Sequence, residues 1–134
     1  AKWLGDGCMI VAVDQRDAVT FALELQKRSL AACAPLSIRV GIASGLALLF
    51  EGDDYIGTAV NMAARLCDAA EPYEVIIPSD QIEILPEGVI AQQHAPLTLR
   101  GLNEAIHVVT LSGEAANAAR NDTGELWTRS PFVI

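Results

Sequence analysis

The sequence predicts an α/β sandwich built on a mixed β-sheet. Three observations carry that expectation: short apolar runs alternate with longer segments of helical periodicity, an Asp-Gly turn joins two β-type segments at the start, and short strands crowd the end. With 134 residues, 51% hydrophobic and 19% charged, the chain is long enough for one core and too apolar for a disordered or low-complexity segment.

Lys2-Trp3-Leu4 leads through Gly5-Asp6-Gly7 into the apolar run from Cys8 to Val13, a hairpin whose tight turn needs the positive φ that glycine adopts cheaply. The second strand of that hairpin, apolar without interruption, is expected to be buried on both faces. Over residues 17–34, Ala18, Phe21, Ala22, Leu25, Ala32 and Cys33 form a helical stripe that Pro35 stops. Residues 37–42 and 46–50 read as strands, and Glu51-Gly52-Asp53-Asp54 as an acidic loop. A second helix is expected from Gly57 to about Ala70, with Val60, Ala63, Ala64 and Cys67 as its apolar stripe and Pro72 beyond its end. Val75-Ile76-Ile77 is the next strand, and Ser79 is positioned to cap a short helix through Leu85. Three further strands fall at residues 89–92, 97–99 and 106–111. The chain thus divides into a domain at 1–113 and a tail at 114–134 in which no pattern is visible.

Nine Lys plus Arg against seventeen Asp plus Glu give a formal charge of -8, which disfavours a duplex nucleic acid partner. An anionic ligand would have to be held by discrete Lys or Arg side chains and by metal ions on carboxylates. Cys8, Cys33 and Cys67 are odd in number and far apart, so neither a disulfide framework nor a zinc site is indicated, and buried reduced thiols are expected. No apolar run reaches the length of a membrane span and no leader pattern opens the sequence; a cytoplasmic location is expected. Neither G-x-G-x-x-G nor G-x-x-x-x-G-K-[ST] occurs, which removes the common nucleotide cradles.

The chemistry-bearing pattern lies around the second helix. Asp54, Gly57, Asn61 and Arg65 read D-x-x-G-x-x-x-N-x-x-x-R, downstream of K-x-x-G-D at 2–6 and upstream of L-R-G at 99–101. Asn61 and Arg65 are four apart and project from one helix face. Alone, they would suit an exposed pair on a solvated face, Asp6 a plain hairpin aspartate and Lys2 an edge-strand lysine. Several polar positions in fixed order are much harder to obtain by chance.

With KWLGDGCM at 2–9, IRVGIASG at 38–45, GDDYIGTAVNMAARLCDAA at 52–70, EVIIPS at 74–79 and LTLRGL at 97–102, the chain resembles the catalytic domain of class III nucleotidyl cyclases. The GDDYIG wording is most similar to the bacterial homodimeric adenylate cyclases. The resemblance implies a ferredoxin-like mixed sheet with packed helices. It implies conversion of ATP to 3',5'-cyclic AMP and pyrophosphate by two-metal in-line attack, with Mg²⁺ or Mn²⁺, at sites shared across a head-to-tail homodimer. Matched residue by residue, Asp6 becomes a metal ligand, Lys2 and Asp54 the base-selecting pair, Asn61 the ribose contact and Arg65 the α-phosphate contact. Arg100 falls where many family members have a lysine on the β- and γ-phosphates; the charge is kept but a point charge becomes a planar fork. A charge of -8 beside a tetra-anionic substrate predicts strong dependence on a divalent metal.

One family segment has no counterpart. Nothing matches the F-x-D-I-x-G-F-T type of strand that carries the other metal aspartate, and residue 1 falls where the family's second strand is under way. An N-terminally truncated domain, a fragment of a longer cyclase, is the expectation; a stand-alone degenerate domain is the alternative. Functionally, the alternatives to a cyclase are a catalytically inactive nucleotide-binding or dimerisation module and an α/β interaction domain without nucleotide affinity.

Overall fold

The computed structural model describes residues 2–50, 54–113 and 132–133. β1 (Lys2–Leu4) and β2 (Gly7–Met9) form the predicted hairpin, with Trp3 opposite Cys8 and Gly5 at φ 65 in the turn. After Ile10 comes β3 (Val11–Ala12), and Met9 to Ala12 are all buried, as the uninterrupted apolar run predicts.

α1 (Gln15–Cys33) starts two residues earlier than the apolar stripe suggests, because the Asp14 side chain accepts the Arg16 N–H at 2.7 Å and caps the first turn. Its buried face is Ala18, Val19, Ala22 and Leu23; Leu25, Ala32 and Cys33 of the predicted stripe are exposed. Nineteen helical residues span about 28 Å, longer than strands of six residues or fewer can cover, so the last turns overrun the sheet.

The first residue of α1 does structural work that its polarity hid. Gln15 is only 2% exposed, and both ends of its amide are bonded: Nε2 donates to Gln81 O at 2.6 Å, and Oε1 accepts from Glu83 N at 2.8 Å and Ile84 N at 3.1 Å. Gln81 in turn accepts the Ser44 N–H at 2.8 Å. Two side-chain amides therefore tie the start of α1 to residues 81–84 and to the end of a central strand.

β4 (Val40–Gly41) and β5 (Ala43–Ser44) are separated only by Ile42, whose N–H donates to Ile76 O at 2.9 Å. β6 (Leu48–Phe50) and β7 (Asp54–Ile56) make an antiparallel hairpin, so Asp54 opens a strand instead of lying in an acidic loop. Residues 51–53 of that loop lie outside the described residues. α2 (Thr58–Ala69) follows, then β8 (Val75–Pro78). The helix expected from Ser79 shrinks to one 3-10 turn (Ser79–Gln81), because the Ser79 hydroxyl donates to His107 O at 3.2 Å and makes no helix cap. β9 (Val89–Gln93), β10 (Leu97–Thr98), β11 (Ala105–Ile106) and β12 (Val108–Gly113) complete the domain, and β13 (Phe132–Val133) lies in the predicted tail.

The mixed α/β architecture follows from the pairings. One sheet has the order β4-β8-β12-β9, with β4 and β8 parallel and the other neighbours antiparallel. A second has the order β3-β13-β5. Residues 40–44 belong to both and join them. β3 and β5 are each antiparallel to β13, so they run parallel to one another with α1 between them in sequence. That is a split βαβ unit, an element of the expected ferredoxin-like sheet.

Each helix covers its own core. Val40, Ile42, Val75, Ile77, Val109 and Leu111 pack with Val19, Ala22 and Leu23 of α1. Ala43, Ile76 and Val108 pack with Ala59, Ala63, Leu66 and Ala70 beneath α2. Neighbouring strand residues alternate between the two clusters, which is why Val75-Ile76-Ile77 is apolar at every position. The α2 stripe differs from the expected one: Ala59, Ala63 and Leu66 are buried, Val60 and Cys67 only partly, and Ala64 is exposed. Gly41 sets this rotation. A Cβ there would stand 2.5 Å from Ala63 O, 2.5 Å from Cys67 N and 2.7 Å from Leu66 Cβ, so the helix backbone rests directly on the strand.

Candidate functional site

α2 presents Asn61, exposed, and Arg65, half-buried, on one face. The Arg65 guanidinium lies against the turn that follows β10. A Cβ on Gly101 would be 3.4 Å from Nη2, 3.7 Å from Cζ and 3.8 Å from Nη1 of Arg65. Leu99 anchors this turn in the α2 core at 2% exposure, and Leu102 N–H donates to Leu99 O at 3.1 Å to close it. Arg100, exposed, stands between the anchor and the glycine. The fold therefore brings two of the predicted phosphate ligands, Arg65 and Arg100, to one turn although they are far apart in sequence. Neither makes a hydrogen bond or ion pair among the described residues. Guanidinium groups without carboxylate partners have their planar N–H donors available, the chemistry that suits phosphate or carboxylate oxygens.

The other predicted residues are distributed around this pair. Asp6 is exposed at the tip of the β1–β2 hairpin, and its carboxylate is near enough to Cys67 on α2 to influence that thiol. Lys2, on β1, is half-buried. Asp54 opens β7 opposite Phe50, so Lys2 and Asp54 stand on separate hairpins; the Asp54 side chain lies outside what is described. Among the described residues, no three His, Cys, Asp or Glu side chains are grouped to hold a metal. Asp6 is a single carboxylate, so the residues grouped here do not compose the two-metal site that the resemblance implies.

The cysteines correct the expectation of three buried thiols. All are free; Cys33 is exposed on the overrunning end of α1, while Cys8 and Cys67 are partly buried. Burial pushes the Cys67 thiol up, with Asp68 and, more weakly, Asp6 adding to the effect against the opposing Gly41 N–H and Arg39. The thiol donates to Arg39 O at 3.2 Å. A raised folded-state value means that the stability from the neutral thiol is full below the ordinary thiol range and drains away as pH rises through the raised value. Pulsed iodoacetamide labelling read by mass spectrometry should therefore modify Cys33 first near pH 8. Cys67 should react only as the pH climbs further, and labelling of both at one rate near pH 8 would contradict this.

No protein-family model matches the chain. Over 105 residues it is 36% identical to the uncharacterized protein Rv2212 of Mycobacterium tuberculosis, a stretch covering 78% of this chain and 27% of that protein. The uncharacterized protein Mb2235 of Mycobacterium bovis is similar to the same extent, 36% over 105 residues. A second Mycobacterium tuberculosis protein, the uncharacterized Rv1359, is 35% identical over 74 residues, covering 55% of this chain and 28% of its own length. The chain thus spans about a quarter of the length of the curated relatives it matches. Among solved structures, it is similar to the adenylyl cyclase CyaB from P. aeruginosa with a TM-score of 0.47 and 25% identity, covering 74% of this chain and 54% of that one. Among the described residues, no helix is long and apolar enough to cross a membrane.

Proposed function

We propose that the chain is part of an adenylate cyclase catalytic domain, binding ATP and forming 3',5'-cyclic AMP and pyrophosphate at a site shared by two copies. The observation that carries this reading is the half-buried Arg65 guanidinium, unpaired among the described residues, on the face of α2 that also bears Asn61 and against the turn that bears Arg100. Each residue has a role that suits its chemistry. Arg65 donates to oxygens of the α-phosphate, where negative charge builds as the ribose 3' oxygen attacks phosphorus. A new O–P bond forms, the α–β bridge bond breaks, pyrophosphate leaves and the 3' hydroxyl proton passes to solvent. Asn61, one helical turn away, holds the ribose; the Arg100 fork binds the β- and γ-phosphates. Lys2 donates to adenine N1 and Asp54 accepts from its 6-amino group, a pairing that guanine reverses. Mg²⁺ or Mn²⁺ belongs to the reaction on this reading, with Asp6 as one ligand. Since no further ligands are grouped with it among the described residues, the steps above rest on the arginines and Asn61 alone.

Calorimetry of the 134-residue chain tests the binding half of the reading. ATP should bind more tightly than GTP, and Arg65→Ala should weaken ATP about thirtyfold, roughly the 2 kcal/mol of a hydrogen bond to a charged group. A wild-type chain that binds neither nucleotide would refute the reading. Binding of ATP with no pyrophosphate release, assayed with a family strand of the F-x-D-I-x-G-F-T type joined ahead of residue 1, would leave an inactive nucleotide-binding module in its place.

A further inference from the structure

We infer that Gly101 is a positioning residue for Arg65: its lack of a side chain keeps open the space that the guanidinium faces, a space that a methyl would fill and a longer side chain would exceed. The inference rests on the reading of Arg65 as the phosphate-contacting group. The three distances to a Cβ at residue 101, 3.4, 3.7 and 3.8 Å to Nη2, Cζ and Nη1, are nearly equal. A point in the guanidinium plane beside one nitrogen would lie much closer to it than to the other, and a point in the fork between the two would have Cζ as its farthest atom; here Cζ is nearer than Nη1. The near equality puts the α-carbon's open side over the flat face, which leaves the N–H edges free to donate in the plane.

Two properties of glycine are used at this position. Gly101 has φ 83, in the left-handed region that side chains rarely enter. Its missing side chain also leaves in front of the guanidinium a space with room for a methyl and for nothing longer. These two uses separate experimentally. An alanine Cβ at 3.4 Å would be in ordinary contact with the guanidinium, so alanine meets backbone strain and little crowding. Asparagine tolerates left-handed φ better than alanine does, but its amide extends into the space over the turn. Stability and ligand binding should therefore rank the two variants in opposite orders. A glycine needed only for the turn would give the same order in both.

The test compares wild type, Gly101→Ala and Gly101→Asn in three measurements: urea denaturation, calorimetric binding of inorganic triphosphate and of ATP, and the nitrogen-15 chemical shift of Arg65 Nε without ligand. Gly101→Ala should be the less stable variant yet bind triphosphate within about threefold of wild type, while Gly101→Asn should be more stable than Gly101→Ala and bind at least about tenfold more weakly. The Arg65 Nε chemical shift should be the same in wild type and Gly101→Ala and should move toward that of a solvated arginine in Gly101→Asn. Wild-type binding and a wild-type Arg65 Nε shift in Gly101→Asn would overturn the inference. If wild type binds no triphosphate but the shift pattern holds, the reading of function falls and the positioning role of Gly101 stands.

Discussion

Replacing Gly41 with alanine should destabilise the domain by about 3 kcal/mol, the upper part of the range for overpacking a closed core. The reason is that the added methyl would meet backbone. At 2.5 Å from Ala63 O and from Cys67 N, it has no flexible side chain to push aside, so the whole of α2 must lift from β4. Lifting α2 strips Ala59, Ala63 and Leu66 from the core they share with Ala43 and Ile76. It also moves Asn61 and Arg65, so the same substitution should lower triphosphate affinity. Urea denaturation measures the first effect; a loss below about 1 kcal/mol would show that α2 does not rest on the strand as described.

Gln15→Leu should cost a similar amount, about 3 kcal/mol, by a different physical route. Leucine fits the volume and suits the apolar environment, but it leaves Glu83 N, Ile84 N and Gln81 O without the partners they have at 2.8, 3.1 and 2.6 Å. The three lost bonds are partly buried, and at about 1 kcal/mol each they make up the expected loss. Because Gln81 passes the linkage on to Ser44, the Gln15→Leu and Gln81→Ala changes should be strongly non-additive in a double-mutant cycle. Additivity within about 0.5 kcal/mol would mean that the two amides act independently.

Both residues show where reading the sequence stops. The hairpin at Gly5-Asp6-Gly7 and the strand at Val75-Ile76-Ile77 were legible because local chemistry decides them: a positive φ at Gly5, and burial on two faces that needs three apolar residues in a row. The existence of α2 was legible for the same reason, but its rotation was not. Alanines at 59, 63, 64, 69 and 70 give nearly equal stripes in several directions, and the choice between them is made by Gly41 across the sheet. A glycine facing an alanine-rich helix was the signal that would have found it. Gln15 was passed over because a polar residue reads as the edge of an apolar face; its position four before Val19 and three before Ala18, both buried, marks it as facing inward.

The candidate site divides along the same line. Asn61 and Arg65 sit four apart on one helix, so their shared face is a property of α-helical geometry and follows from spacing. That Arg65 meets Gly101 depends on how α2 and the turn after β10 pack through Leu99, a contact between distant segments that no local pattern encodes. The thiols failed for a related reason: cysteine prefers burial on average, but Cys33 lies where α1 has outrun its sheet.

The pairing of β13 with β3 and β5 has a consequence for the order in which the molecule is made. Val11 and Val133 are neighbours in the sheet and lie near opposite ends of the described sequence. While the chain is being synthesised, the ladder that joins β3 to β5 cannot close until Phe132 and Val133 have left the ribosome, however well α1, α2 and β8 have already packed. Closing so long a loop is entropically slow. Until then, β3 and β5 each carry an open edge in the middle of the future sheet, the place where a nascent chain is most exposed to pairing with another copy of itself.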